Sequence, residues 1–191
     1  ADLPAETLTF SIVGGADAGK FTIDANTGAL SFIAAPDFET PTDVGGDNVY
    51  DVTVRVTDGT NTDEQAIAVT VTNVNEAPAI TSDGGGATAS LSVAENGTAV
   101  TTVTSTDPEN TARTYSISGG ADAAKFTIDA ATGALAFITA PNFEVPSDAG
   151  ANNVYDVIVQ ASDGTLTDTQ AIAVTVTNVA EALAITTNGA I

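Results

Sequence analysis

Residues 153–178 read NVYDVIVQASDGTLTDTQAIAVTVTN. Tyr155, Val157 and Val159 alternate with Asp156 and Ile158, and Ile172, Val174 and Val176 alternate with Ala173 and Thr175. A period of two marks strands that bury one face. Between the two runs stands Ser162-Asp163-Gly164, which has turn chemistry. No helical period competes.

The same words occur earlier. Residues 48–73 read NVYDVTVRVTDGTNTDEQAIAVTVTN, and a shift of 105 residues overlays the chain on itself. IVGGADAGKFTIDANTGALSFI at 12–33 meets ISGGADAAKFTIDAATGALAFI at 117–138. From Phe10 to Ser82 the register holds without a gap, and roughly fifty of about seventy-three positions are identical. A period near one hundred is too long for a solenoid unit and fits a whole domain repeated in a string.

One unit therefore runs over 79–183. It is preceded by a partial unit, 1–78, that lacks the first strands, and followed by the start of another at 184–191. Both ends of the chain fall inside the repeat, as expected of a window on a longer array. In the full unit, strands are expected at 88–93, 98–105, 113–118, 125–129, 134–139, 153–161 and 170–179. Ala131-Thr132-Gly133, like Asn26-Thr27-Gly28 before it, supplies a turn between the fourth and fifth. Seven short strands in about 105 residues predict an all-β chain of tandem seven-stranded Greek-key sandwiches of immunoglobulin-like build.

Composition narrows the function. The 191 residues carry 25 acids against 4 bases, a net charge of −21, with no His, Cys, Met or Trp. Such a field repels nucleic acid and anionic lipid, so neither is expected as a partner. Without cysteine there is no disulfide framework and no thiolate site, and a secreted chain of this kind needs another staple. No apolar run reaches the eighteen or so residues of a membrane-spanning helix, so direct membrane insertion is not expected. A surface this acidic serves solubility in salt; some of its carboxylates are also candidates for metal.

The acids gather at strand ends, in short clusters with one-residue gaps. Glu95 sits in AEN, Asp107 and Glu109 in TDPEN, and Asn142 and Glu144 in PNFE, which matches Asp37 and Glu39 in PDFE. Asp163 in SDG matches Asp58 in TDG, and Asn178 and Glu181 match Asn73 and Glu76. Residues two apart in an extended segment aim side chains to one side. Calcium takes six to eight oxygens from carboxylates, amides and carbonyls in flexible geometry. Clusters meeting at the pole of a sandwich can supply that set.

This order, AEN, DPE, DFE, a lone Asp in TDG, then NVNEAP at 73–78, resembles cadherin repeats. In that family the linker has the form Asp-x-Asn-Asp-Asn-x-Pro, and calcium binds at each junction between domains. The version here is shorter and resembles more the cadherin-like repeats of large bacterial surface proteins and adhesins. The resemblance implies an extracellular, cell-surface chain whose cofactor is Ca2+ and whose partners are the neighbouring repeats of its array. It implies a junction drawing on Asp37 and Glu39, on Asn73, Asn75 and Glu76 of the linker, and on Asp107, Glu109 and Asp163. Asp2 and Asp58 would serve a preceding junction, and Glu95, Asn142, Glu144 and Glu181 a following one. There the pattern departs: Asn142 stands for Asp37, Ala180 for Asn75 and Leu183 for Pro78. Fewer charged and amide ligands imply weaker calcium at that end.

The enzyme reading is poor, because the commonest general base and the best nucleophile are absent. Paired carboxylates could serve a glycosidase, but there is no Trp and few aromatic residues to hold a sugar. Nothing marks a loop as a binding surface, and the GGAD loops are small and plain. The partial first unit leaves one alternative to a calcium-stiffened adhesin or biofilm-matrix repeat: a subunit of an extracellular filament assembled head-to-tail by strand complementation with other copies of itself.

Overall fold

The structure, a computed structural model, describes residues 7–181. The chain divides into two units, one ending at Asn75 and the other beginning at Glu76.

In the first unit, five strands are present among the described residues: β1 (Thr9–Gly14), β2 (Phe21–Ile23), β3 (Leu30–Phe32), β4 (Val49–Thr57) and β5 (Thr62–Thr70). They form a three-stranded sheet in the order β1-β4-β5 and a β2-β3 hairpin. The two layers close on Phe21, Tyr50 and Val52. Phe21 stacks on Phe32 at 4.5 Å, and Tyr50 meets Phe32 edge-on at 5.1 Å, an arrangement that aromatic quadrupoles favour.

The second unit begins with β6 (Ala79–Ile80), β7 (Thr88–Ala94), β8 (Ala99–Thr102) and β9 (Ser105–Thr106). It continues through β10 (Thr114–Gly119), β11 (Phe126–Ile128), β12 (Ala134–Phe137), β13 (Val154–Ser162) and β14 (Thr167–Thr177). One sheet has the order β10-β13-β14-β7 and the other β11-β12-β8, while β6 pairs with β9. All pairings are antiparallel except β14 with β7, which runs parallel from Ala171↔Thr88 to Thr177↔Ala94. Between the sheets lie Tyr155, Val157, Val159, Ile172, Val174 and Val176, the alternating residues of the opening stretch. The aromatic trio of the first unit recurs as Phe126, Phe137 and Tyr155. Burying branched side chains on one face of each strand is the principal stabilising term in a fold of this kind.

The expected all-β sandwich is therefore the observed one, with 3-10 turns at Ala18–Lys20, Ser82–Gly84 and Ala123–Lys125 as its helical content among the described residues. The strand expected at 98–105 is two pieces. β8 bonds to β12, whereas β9 leaves that sheet to pair with β6, and between them the N–H of Val103 goes to Gly133 O. The two-residue strand β6 was too short to show a period. Gly120, with φ +109°, lies so close to β13 that a Cβ there would stand 2.4 Å from Asp156 O. The GGAD loop needs glycine at that position.

Candidate metal centre

Acidic side chains collect at both ends of the second unit. At one end, β9 runs into the loop 107–113, and Asp163 caps the β13–β14 hairpin. Ser162, beside Asp163, pairs with Thr114, the first residue after that loop. Asp107 is 5% exposed, and its Oδ1 accepts the N–H of Thr111 at 3.2 Å. Its Oδ2 is buried and has no hydrogen-bond partner. Glu109 Oε1 accepts the N–H of Glu76 at 3.3 Å, which draws the linker to this end; its Oε2 is also buried without a partner. Asp163 uses Oδ1 to close its own turn, accepting from Thr165 and Leu166.

Two buried carboxylate oxygens without donors at one pole are expensive. Ionised oxygen removed from water needs a proton, a hydrogen bond or a cation. Among the described residues the one ion pair is Arg55 with Glu64, in the first unit. Neither Asp107 nor Glu109 forms an ion pair with a lysine or arginine among the described residues. The oxygens present fit a hard cation such as calcium.

At the opposite end of the second unit, Glu95, Glu144 and Glu181 bring carboxylate oxygens within 4.8 Å of one another. Ligands on one calcium at roughly 2.3–2.6 Å lie at most about 5 Å apart, so this spacing is compatible with a shared ion. Glu95, 3% exposed, is the fixed member. Its Oε2 accepts the N–H of Phe143 and its Oε1 that of Val179, both at 2.8 Å. Those two N–H groups hold its carboxyl below the usual glutamate range, outweighing burial, with a smaller contribution from Glu144. Glu144 and Glu181 are exposed, and the Asn178 amide donates to Glu144. Asn142 turns into its own loop, where Oδ1 accepts the N–H of Val145 at 2.8 Å.

In the first unit, Asp37 Oδ1 accepts the N–H groups of Glu39 and Thr40, while Glu39 Oε1 has no hydrogen-bond partner. Asn73 and Asn75 are exposed beyond β5. Asp58 caps the β4–β5 hairpin at the other end of that unit. The backbone N–H and side-chain amide of Asn61, then the N–H of Thr60, lower its pKa to about 2. Asp2 lies outside the described residues.

Four further acids matter, and sequence reasoning passed over them. Asp17 and Asp122 of the GGAD loops are buried. Asp122 accepts from Ala149 at 2.7 Å and Asp156 at 2.9 Å; Asp17 accepts from Val44 and Asp51 in the same way. Asp148 accepts from Asn152 and Asn153, as Asp43 does from Asp47 and Asn48. Burial opposes ionisation of Asp148, but these N–H groups win and lower its pKa. The four carboxylates anchor the long loop that precedes β4 or β13, the loop that carries Glu39 or Glu144. Their signal was present: each aspartate recurs unchanged at the 105-residue shift.

Residues 89–177 match the family model of the cadherin domain. The chain is 32% identical over 162 residues to human Protocadherin Fat 1, covering 82% of this chain and 3% of that protein. It is 32% identical over 169 residues to Protocadherin Fat 2 of Mus musculus, covering 83% and 4%. It thus spans a few per cent of the length of these relatives, which are animal proteins. Among solved structures, domains EC1-2 of human Protocadherin-24 superpose with a TM-score of 0.58, at 21% identity, covering 94% of this chain and 85% of that one. Domains 1-4 of Protocadherin Gamma B7 superpose at 0.54 with 20% identity, covering 90% and 41%. At such identities these structures speak to the fold alone.

Proposed function

We propose that this cadherin-like chain, whose residues 89–177 match the cadherin domain, is a calcium-binding module of an extracellular adhesion or matrix array. The ion would be held at the linker by Glu76, Asp107, Glu109 and Asp163 with Asp37, Glu39, Asn73 and Asn75. Calcium would supply charge neutralisation there and no redox or acid–base chemistry. The observation that carries the reading is the pair of buried, donor-less oxygens, Asp107 Oδ2 and Glu109 Oε2, at the linker end of the second unit.

Without a cation the acids repel and the linker is free to pivot. With one, repulsion becomes attraction, and binding energy orders the segment. A string of such units stiffens into a spacer that holds an adhesive surface away from a cell. The cluster Glu95, Glu144 and Glu181 is the corresponding site for the next unit, weaker because Asn142 and Ala180 replace a carboxylate and an amide. The short linker 73–78 supports a repeat from a large surface protein of the bacterial kind.

The test is isothermal calorimetry with calcium, together with thermal melting in calcium and in EDTA. Heat of binding and a calcium-dependent rise in melting temperature support the proposal. A melting curve indifferent to both reagents contradicts it.

A further inference from the structure

Four aspartate–glycine or asparagine–glycine pairs fall within the described residues: Asp58-Gly59, Asp83-Gly84, Asn96-Gly97 and Asp163-Gly164. In each, a side-chain carbonyl carbon stands next to the backbone nitrogen of a glycine, the least hindered nitrogen in a chain. That nitrogen can attack the carbon and close a five-membered imide. The fold treats the four pairs differently.

In three of them the side chain is held. Asp58 Oδ1 accepts the N–H groups of Thr60 at 2.7 Å and Asn61 at 2.6 Å. Asp163 Oδ1 accepts those of Thr165 at 2.6 Å and Leu166 at 2.7 Å. Both oxygens of Asp83 take the hydroxyl of Thr101, at 3.1 and 3.2 Å. Such bonds fix the carboxylate against its own turn, and an ionised carboxylate resists attack by nitrogen. Asp58, whose pKa Asn61 and then Thr60 lower to about 2, is ionised across the neutral range. The glycines are committed too: Gly59, Gly84 and Gly164 sit at φ +93°, +92° and +99°.

Asn96 is the exception. It is exposed at the tip that joins β7 to β8, at φ +67°. Its N–H is anchored to Pro141 O at 3.0 Å, and Thr98 O receives the N–H of Phe137 at 2.7 Å. Between those anchors, neither the Asn96 amide nor the Gly97 N–H has a hydrogen-bond partner among the described residues. The space around Gly97 is open, because a Cβ there would meet nothing within 4 Å, and its φ is not left-handed.

We propose that Asn96 is a modification site: its side chain closes on the Gly97 nitrogen and is converted by water to aspartate and isoaspartate. Hydroxide from solvent takes the Gly97 amide proton, and the nitrogen bonds to Asn96 Cγ. The Cγ–Nδ2 bond breaks, and Nδ2 leaves as ammonia with a proton from solvent. Water then opens the imide at either carbonyl. The net change consumes one water and releases one ammonia, with no oxidation or reduction. Either product places a new negative charge beside Glu95. Isoaspartate also adds one methylene to the main chain, directly after the residue that ties Phe143 to Val179. The tip is thus a slow, one-way clock on that end of the unit.

The test incubates the full chain in warm, mildly alkaline buffer beside a synthetic peptide of residues 90–104. Products are mapped by proteolysis and mass spectrometry. Cleavage after Arg55, Arg113 and Lys125 separates Asn96 from Asn188-Gly189, a pair outside the described residues. Expected at Asn96 is a gain of about 1 Da, divided between two products of equal mass that chromatography resolves. The rate should lie within about tenfold of the peptide's. Gly97→Ala, for which the structure has room, should slow conversion by at least about tenfold. A folded chain that keeps Asn96 intact while the peptide converts overturns the proposal. So does conversion of Gly97→Ala at the parent's rate.

Discussion

The carboxylate of Glu95 accepts the backbone N–H of Val179 at 2.8 Å, across 84 residues of chain. Through its second oxygen it also holds Phe143. One side chain thus joins the end of β7, the loop carrying Glu144 and the segment leaving β14.

That arrangement predicts a pH dependence. The folded-state pKa of Glu95 lies below its ordinary value, so its stabilisation is present above that ordinary value, near 4.5, and is lost as pH falls through the folded value. Glu95→Ala should lower the melting temperature clearly at pH 7 and much less at pH 3. Equal losses at the two pH values would mean that the carboxylate charge is irrelevant.

Asp107 and Glu109 should behave in the opposite sense. Each keeps a buried oxygen without a donor, so in EDTA the neutral variants Asp107→Asn and Glu109→Gln should melt no lower than the parent, and Asp107→Asn higher. In calcium both should lose most of the stabilisation that the ion confers. Differential melting with and without EDTA reads both signs in one experiment.

The buried hydroxyl of Tyr155 accepts the N–H of Ser147 at 3.1 Å. Tyr155→Phe leaves the aromatic packing and strands that donor, so it should cost about 1–2 kcal/mol in urea unfolding, with an unchanged slope. Tyr50, which receives the N–H of Thr42 at 3.2 Å, is the matching position in the first unit.

Much of this was legible in the sequence because period-two alternation and a long repeat are local signals. Val157, Val159, Ile172 and Val174 face the core as their alternation required. What was illegible depends on distance. β6 owes its existence to pairing with Ser105 and Thr106, and no two-residue window reveals that. Glu95 reads as one more metal ligand until its contacts with Phe143 and Val179 show that it is first a tie between segments. Asp122 and Asp148 looked like plain loop residues, because their partners are backbone N–H groups set by the fold. Conversely, the near-identity of β5 and β14 concealed their different burial, which the neighbouring strand decides.

The substitution of Asn142 for Asp37 gives a further prediction. Asn142 keeps the local turn through Oδ1, and an aspartate would accept the same N–H while adding charge near the Glu144 loop. Asn142→Asp should tighten calcium at the Glu95, Glu144 and Glu181 end by severalfold, measured by calorimetry at fixed ionic strength.

The most direct measurement is a calcium titration of the intact chain beside Asp107→Asn, with the melting temperature read at each point. The account predicts a saturable rise in the parent, reversed by EDTA and largely absent in the variant. A parent whose melting temperature does not move between EDTA and excess calcium would contradict it.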